Sequence, residues 1–145
     1  QGMDGKLHRG QLLVNKAIAD EVRMIFRDML QLKFPVAKVI PIVKYNWDDR
    51  ASMNDNNSYS FCYRDVAYSK HAQGMAIDIN PMQNPNRWKP DFSYRKNLPE
   101  QAVYNEAKPG TFSENHPVVT LFKAKGYLWG RYFKRNHDDH HFEKK

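Results

Sequence analysis

The fold of this chain is decided by one stretch, residues 69–80, which reads SKHAQGMAIDIN. After Gly74, apolar residues alternate with small or polar ones. A period of two predicts a β-strand that buries one of its faces. The apolar set of this predicted strand is Met75, Ile77 and Ile79. The opposite face then carries Asp78 beside small neighbours, so the carboxylate has room for a partner.

Two side chains of this stretch, His71 and Asp78, are candidate metal ligands. They lie on either side of Gly74, where the backbone can turn and bring the imidazole back toward the carboxylate. A neutral imidazole and a carboxylate are two of the three protein ligands that a catalytic zinc ion uses. The third ligand has to come from another part of the chain.

The C-terminus offers that ligand, because residues 138–143 read DDHHFE. A catalytic zinc site also needs a carboxylate that takes a proton from water. In an ideal strand, side chains two positions apart share a face. This spacing pairs Asp139 with His141, or Asp138 with His140, and the residues alone leave both pairings open.

Taken together, the two segments resemble the family of zinc D-alanyl-D-alanine carboxypeptidases and L-alanyl-D-glutamate peptidases, which cut the stem peptides of bacterial cell wall. The shared pattern is S-x-H-x-x-G-x-A-x-D at residues 69–78 and D-x-x-H-F-E at residues 138–143. The resemblance runs from about residue 45 to residue 143. It includes SMN, NN and FCYR within residues 52–64, NP at 80–81 and 84–85, and GYLWG at 126–130.

The resemblance implies that His71, Asp78 and His141 bind zinc and that Asp138 is the general base. A base three positions before the ligand requires a turn at Asp139. We therefore expect His140 to point away from the metal, with His141 preferred over it because Phe and Glu follow as in the family.

Three further residues are candidates for substrate contacts. Arg64 matches the arginine of the family and would stabilise an oxyanion or hold a substrate carboxylate. Ser69 and Trp129 are candidate substrate-binding residues, although a loop serine and a core tryptophan explain them equally well. After Gly130 the chain has RYF where the family commonly has a second glycine and a tryptophan, so the wall of the specificity pocket is expected to differ.

Composition predicts a single folded domain over residues 1–145, with residues 1–11 as a loose lead-in. The chain has 145 residues, 41% of them hydrophobic and 13% aromatic, which is typical of a globular protein. The single cysteine, Cys62, excludes an intramolecular disulfide and a cysteine-rich metal cluster. No apolar run approaches the roughly 18–20 residues that span a bilayer, and no signal peptide is recognisable.

The net charge of +7 predicts an acidic partner. The anionic cell wall and nucleic acid are the two candidates, and scattered basic side chains on a solvated surface are the simplest alternative. Nucleic acid leaves the spacing of histidine and aspartate unexplained, so we expect a peptidoglycan stem peptide as partner and no nucleic acid.

Periodicity also predicts the remaining secondary structure. An apolar stripe predicts a helix from Val14 to Leu32, and Pro117 begins a second helix that runs to Lys125 and ends at Gly126. Residues 46–57 and 81–116 are predicted to be irregular. Strands are predicted at residues 39–43, with Pro41 at an edge or bulge, and at residues 59–63, 127–133 and 140–143.

These expectations define an α+β domain, an antiparallel sheet with helices packed on it, as the resemblance to Hedgehog/D,D-peptidase folds implies. The expected activity is zinc-dependent hydrolysis of peptidoglycan stem peptides, with D-alanyl-D-alanine carboxypeptidase preferred. An L-alanyl-D-glutamate endopeptidase and a non-catalytic, metal-containing cell-wall-binding module are the alternatives. The expected location is periplasmic, secreted or cell-wall associated, and the expected state is a monomer.

Overall fold

A three-stranded antiparallel sheet forms the centre of the molecule. The computed structural model describes residues 1–66 and 68–145. The strands of the central sheet are β3 (Ala76–Asp78), β5 (Tyr127–Trp129) and β7 (His141–Lys144), in the order β3-β7-β5. The strand predicted from the alternation after Gly74, β3, is therefore present. The C-terminal strand β7 lies between β3 and β5.

Two short strand pairs accompany this sheet. β4 (Asn86–Trp88) pairs antiparallel with β6 (Asn136–Asp138). β1 (Lys38–Val39) pairs with β2 (Asn57–Ser58), and this pair is parallel. The α+β class with antiparallel sheets is confirmed, with β1 and β2 as the parallel exception.

Three α-helices complete the elements: α1 (Ala19–Gln31), α2 (Asp49–Asn54) and α3 (Pro117–Ala124). The helix predicted from Val14 begins later, because Asn15 is extended and its side chain accepts a hydrogen bond from the Ala17 N–H. That cap starts a 3-10 turn over Lys16–Ile18, which leads into α1. α3 starts at Pro117 as predicted, and Gly126, at φ +79°, follows its end.

The core lies between the central sheet and the helices α1 and α3. Phe142 of β7 stacks on Phe122 of α3 with ring centroids 4.1 Å apart, and its edge contacts Phe112 at 5.1 Å. Ile77 and Ile79 are fully buried in the same cluster. The alternation in β7 thus sends Phe142 into the core and its neighbours His141 and Glu143 to the opposite face.

The first half of the chain departs from the predicted strands. The strand expected at residues 39–43 ends at Val39, because Pro41 has no N–H for a ladder and instead precedes a 3-10 turn over Ile42–Tyr45. The loop expected at residues 46–57 contains α2. Its N-terminus is capped by Asp48, whose side chain accepts a hydrogen bond from Ala51 N at 3.0 Å.

Two other predicted strands are shorter than expected. In place of a strand over residues 59–63, β2 ends at Ser58, and Tyr59 forms an isolated bridge to Asp78. The strand expected over residues 127–133 ends at Trp129, where a 3-10 turn over Gly130–Tyr132 begins. Both changes shorten the ladders and leave irregular backbone around the centre of the sheet.

The long segment after β3 is mostly irregular, as predicted, but two buried asparagines hold it in place. Asn80 donates its amide to the carbonyls of Pro35 and Gly110. Asn84 also donates to Gly110 O and accepts a hydrogen bond from Phe112 N at 2.7 Å. These bonds satisfy backbone groups that a loop would otherwise leave unpaired inside the protein.

Within the described residues, no helix combines the length and the apolar character that crossing a membrane requires.

Candidate metal centre

Three ligand atoms from distant parts of the chain meet at one point. His71 Nε2 lies 3.1 Å from His141 Nδ1 and 3.2 Å from Asp78 Oδ1, and the last two atoms are 3.0 Å apart. All three residues are buried. Their positions form a nearly equilateral triangle that could hold a metal ion.

The size of this triangle fits zinc. With bonds of about 2.0–2.1 Å to nitrogen or oxygen, the ligand atoms of a tetrahedral zinc ion lie about 3.3 Å apart. Two imidazoles and one carboxylate also form a donor set that zinc accepts, although other divalent ions share it. The residues present therefore fit a divalent cation held by three protein atoms.

The register of the central sheet explains how two of these ligands meet. β3 and β7 are antiparallel with Asp78 directly opposite His141, and side chains of such pairs lie close together on one face. His71 arrives by the turn that the sequence predicts at Gly74, whose φ is +65°. In that turn the Gly74 N–H donates to the His71 carbonyl at 3.0 Å.

Each imidazole has a second partner that sets its protonation. His71 Nδ1 lies 2.7 Å from the Ser60 carbonyl, which can only accept, so Nδ1 carries the proton and Nε2 faces the cluster. His141 Nε2 lies 3.0 Å from the Glu143 carboxylate, which leaves Nδ1 toward the cluster. Carbonyl and carboxylate partners of this kind are typical of metal-binding histidines.

In the metal-free cluster, the carboxylates and the imidazoles stabilise each other's charged forms. Burial alone would raise the pKa of Asp78, but the imidazoles of His71 and His140 outweigh it and hold that pKa well below its usual range. Burial would lower the pKa of His141, yet hydrogen bonds to the Asp78 and Glu143 carboxylates raise it to about 10. The carboxylates of Asp78 and Glu143 therefore favour the protonated form of His141 in the metal-free protein.

Asp138 ends β6 and lies at the edge of the cluster. Its Oδ1 is buried and 2.9 Å from His140 Nε2, but the contact lacks hydrogen-bond geometry, so this oxygen has no well-directed partner among the described residues. The side chain as a whole remains 17% exposed. A buried oxygen of this kind, in a carboxylate that still reaches solvent, is what a general base for water requires.

His140 does not point away from the cluster, contrary to expectation. Its Nδ1 donates to the Asn84 carbonyl at 2.8 Å, and its Nε2 faces Asp138 and lies 3.8 Å from Asp78 Oδ2. The turn at Asp139 is present. It keeps the His140 imidazole out of the ligand triangle but leaves it beside the cluster. Burial would lower the pKa of His140, and the neighbouring Asp138 and Asp78 raise it to about 9.

Asp139, between Asp138 and the candidate ligand His141, is turned to the other side and held by two arginines. Its carboxylate is fully buried and receives Arg87 Nε and Nη2 at 2.8 and 2.7 Å and Arg131 Nη1 at 2.9 Å. Its carbonyl accepts the indole N–H of Trp129 at 2.9 Å. The pairing of Asp139 with His141 on one face is thereby excluded.

Gly130 lies against both Asp138 and His141. A Cβ at this position would come within 2.6 Å of the Asp138 carbonyl oxygen, 2.9 Å of Asp138 Cβ and 3.1 Å of His141 Cβ. The absent side chain of Gly130 therefore permits the approach of the turn that carries both residues.

A cleft of about 390 Å³ opens over the cluster. Asp138, His141 and His71 line its base, and two cations, Arg64 and Lys70, line its wall. Arg64 Nη2 donates to Asp49 Oδ2 at 3.1 Å and to the Tyr59 hydroxyl at 3.3 Å, which fixes the guanidinium beside the cleft. The cleft thus offers both a carboxylate for proton transfer and cations for an anionic group.

The two remaining candidates have different positions. Ser69 lines the cleft, and its Oγ accepts the Ala72 N–H at 3.4 Å, so it also supports the turn that carries His71. Trp129 does not reach the cleft: it is 2% exposed and stacks parallel to Phe142 in the core. The expected substrate contact of Trp129 is corrected to a core position behind the site.

Several residues at the site were not predicted from the sequence. Glu143 alternates with His141 along a strand, so the period of two could have identified it. Lys70 lies next to His71, a proposed ligand, and no pattern in the sequence distinguishes it from the other lysines. Ser60 contributes a backbone carbonyl, and the partners Arg87 and Arg131 are 52 and 8 residues from Asp139, so only the folded chain brings them together.

The structure is thus an α+β domain in which a buried His-Asp-His cluster that could hold a metal ion lies below a cleft. A protein-family profile described as D-alanyl-D-alanine carboxypeptidase matches residues 64–144. The match covers more than half of the chain and all three ligand residues, and the chain belongs to this peptidase family. No curated protein and no solved structure matched the chain.

Proposed function

We propose that this protein is a zinc-dependent D-alanyl-D-alanine carboxypeptidase acting on peptidoglycan stem peptides. The proposal rests on one observation, the triangle of His71 Nε2, Asp78 Oδ1 and His141 Nδ1 with sides of 3.0–3.2 Å at the base of a cleft. The family membership supplies the substrate class, a peptide that ends in D-alanyl-D-alanine. The architecture we propose is that of the Hedgehog/D,D-peptidase folds.

His71, Asp78 and His141 would hold the zinc ion. When bound, the ion supplies a Lewis acid that acidifies water and polarises the scissile carbonyl. Glu143 and the Ser60 carbonyl keep the protons of the two imidazoles away from the cluster. Asp138 accepts a proton from the attacking water and delivers it to the amine of the departing D-alanine.

The two cations of the cleft favour a carboxypeptidase over an endopeptidase. A substrate with a free C-terminal carboxylate needs a positive group beyond the scissile bond. Arg64 is fixed by Asp49 and Tyr59, so its fork is oriented before a carboxylate arrives. In this assignment Arg64 binds the terminal carboxylate or the developing oxyanion, Lys70 adds positive charge, and Ser69 is a further substrate contact.

Peptidoglycan lies outside the cytoplasmic membrane, so the proposed substrate requires the protein to reach that compartment. We propose a periplasmic, secreted or cell-wall-associated location for this reason. The positive net charge of +7 suits such an anionic surface. We propose that the domain, residues 1–145, acts as a monomer, because the ligands, base and cleft all come from one chain.

Mass spectrometry of products from purified muropeptides tests the activity directly. Loss of one terminal alanine from a pentapeptide stem supports the carboxypeptidase. Cleavage between L-alanine and D-glutamate would instead assign the endopeptidase. Asp138→Asn should lower kcat at least 100-fold, because general-base catalysis contributes about 10²–10⁴-fold. Absence of any hydrolysis by the zinc-loaded protein would leave a binding module.

Arg64→Gln separates the substrate contact from the chemistry. If Arg64 holds the terminal carboxylate in the ground state, KM rises and kcat changes little. If it stabilises the oxyanion, kcat falls instead. Arg50→Gln is the matched control, because Arg50 lies in α2 next to Asp49, the partner of Arg64, but does not line the cleft. A change of the same size in Arg50→Gln would contradict the role of Arg64.

A further inference from the structure

A strongly basic face lies where β4 and the segment after it pack against the loop that leads into β6. Residues 86–97 and 133–136 carry six Lys or Arg side chains against one Asp. Two of the six have carboxylate partners outside these segments: Arg87 pairs with the buried Asp139, and Lys96 with Glu100. These sixteen residues hold an excess of five positive charges, out of a net seven for the whole chain. Much of the net positive charge of the protein is therefore concentrated in these two segments, within the small basic concentrations that the sequence shows at residues 87–96 and 123–135.

Aromatic rings and guanidinium groups alternate across this face. Arg135 lies 5.9 Å from the ring of Phe92, which is 6.4 Å from the ring of Trp88. Arg95 lies 4.8 Å from Trp88 and 5.6 Å from Tyr94. We call these five residues, Trp88, Phe92, Tyr94, Arg95 and Arg135, the arginine–aromatic face. Each guanidinium covers a ring, so its N–H groups remain available at its edges.

The arginine–aromatic face is open to solvent. Tyr94 is 76% exposed, and both arginines are exposed while Trp88 and Phe92 are half-buried. Tyr94 and the exposed parts of Trp88 and Phe92 therefore do not contribute to packing of the core. Their arrangement suits a ligand that has both apolar faces and negative charges.

The face is continuous with the cleft over the metal centre. Asn86, Leu98 and Phe133 line that cleft, and each borders one of the segments that form the face. Lys89 joins the two segments, because its backbone N–H donates to Arg135 O at 3.1 Å and its Nζ to Phe133 O at 2.7 Å. The face therefore borders the cleft that Asp138 and His141 line.

We propose that the arginine–aromatic face binds the peptidoglycan polymer, with sugar rings of the glycan strand on its aromatic rings and free stem-peptide carboxylates on its arginines. This inference takes its ligand from the proposed function and deepens it. The negative faces of aromatic rings attract the C–H groups of a sugar ring, and arginine binds carboxylates through paired N–H groups. The face holds the polymer while its peptides enter the cleft.

Rings and cations also bind single-stranded nucleic acid. The position of the face favours peptidoglycan, because a polymer tethered beside a peptidase cleft delivers its own peptides to the cluster. The match to a peptidase family gives no corresponding reason to expect a nucleic-acid substrate. Tighter binding of an oligonucleotide than of sacculi would therefore count against peptidoglycan as the ligand.

Co-sedimentation with purified sacculi tests the proposal, with Asp138→Ala in every protein so that the polymer stays intact. Arg95→Gln with Arg135→Gln should weaken binding at least tenfold. Lys16→Gln with Lys108→Gln removes the same charge from exposed positions outside the face and should weaken it less than twofold. Tyr94→Ser should also weaken binding, whereas Tyr94→Phe keeps the ring and should retain it.

A second measurement separates this inference from the proposed function. With Asp138 intact, kcat/KM on a short soluble stem peptide should not change in Arg95→Gln/Arg135→Gln, since that substrate has no glycan. If the unsubstituted protein hydrolyses no stem peptide, the peptidase assignment fails while the sacculus result still decides the docking face.

Three results would overturn the docking face. One is equal sacculus binding by the arginine and lysine double variants. Another is a parallel loss of sacculus binding and short-peptide hydrolysis, which would make the arginines part of the cleft. The third is tighter binding of an oligonucleotide than of sacculi, lost in the arginine variant, which would assign the face to nucleic acid.

Discussion

Removal of the Asp139 carboxylate should loosen the turn that places Asp138, the proposed base, and His141, the proposed last ligand. In Asp139→Ala, Arg87 and Arg131 both lose their buried partner. Removing one member of a buried ion pair costs about 3–5 kcal/mol. The arginine side chains remain 29% and 17% exposed and can regain water, so we expect a loss of about 3 kcal/mol in the free energy of unfolding.

The same substitution should weaken metal binding. The Asp139 side chain, its N–H and its carbonyl all fix the backbone between Asp138 and His141: the N–H faces Pro85 O at 3.4 Å and the carbonyl accepts Trp129 Nε1. Without the carboxylate the turn samples other positions, and the affinity for zinc should fall at least tenfold. A shift of this size corresponds to about 1.4 kcal/mol in binding free energy.

Urea unfolding of the metal-free protein and zinc titration by calorimetry measure the two effects separately. The titration is done at a temperature where the variant remains folded. Asp28→Ala is the control, because its contact with Arg27 at 3.7 Å is on the surface and should contribute within about 1 kcal/mol. An Asp139→Ala protein that is destabilised but binds zinc as tightly as before would refute the positioning argument.

Three shorter predictions concern the same region. Gly130→Ala should lower zinc affinity and destabilise by about 1–3 kcal/mol, because its Cβ collides with Asp138; Gly126→Ala, strained at φ +79° but with its nearest neighbour at 3.9 Å, should lower stability without changing zinc affinity. Thermal melts of the metal-free protein should show falling stability from pH 7 to pH 10. Folding raises the pKa of His140 to about 9 and that of His141 to about 10, against the usual 6.5. The protonated imidazoles therefore stabilise the fold fully below pH 6.5, and this stability is lost as they deprotonate in the folded protein. A flat melting temperature over that range would contradict this charge distribution. Phe142→Ala should cost about 3–5 kcal/mol in urea unfolding, since the ring is fully buried and stacked on Phe122.

The positions of two proposed ligands, His71 and Asp78, could be predicted because each has a local cause. Alternation after Gly74 identified the strand that carries Asp78, and the left-handed φ of Gly74 provides the expected turn at His71. The resemblance to a peptidase family selected His141 over His140, a choice that period-two spacing could not make. The structure shows why: the turn at Asp139 breaks the alternation between β6 and β7.

The first half of the chain was harder to predict because tertiary contacts override local preference there. The β-branched residues of segment 39–43 favour a strand, yet Pro41 interrupts the segment. The side-chain amide of Asn57 also donates a hydrogen bond to the Ile40 carbonyl. Asp and Asn in residues 46–57 indicated a loop, but Asp48 uses the same chemistry as a helix cap. The ion pairs of Asp139 could not be predicted at all, because no periodicity relates Arg87 to a turn 52 residues away.

The architecture couples the metal centre to the stability of the whole domain. β7 places His141 and Glu143 on the cleft side and Phe142 between them in the core, so the strand cannot shift without disturbing both. Three buried ligands that would bind zinc only in the folded state also make the metal a stabilising ligand, by about 2.7 kcal/mol at a free concentration 100 times the dissociation constant. Zinc should therefore raise the melting temperature of this protein, and it should raise it less in Asp78→Asn, which keeps the shape of the side chain but removes the charge that attracts the ion. Equal stabilisation of both proteins by zinc would mean that the ion binds elsewhere.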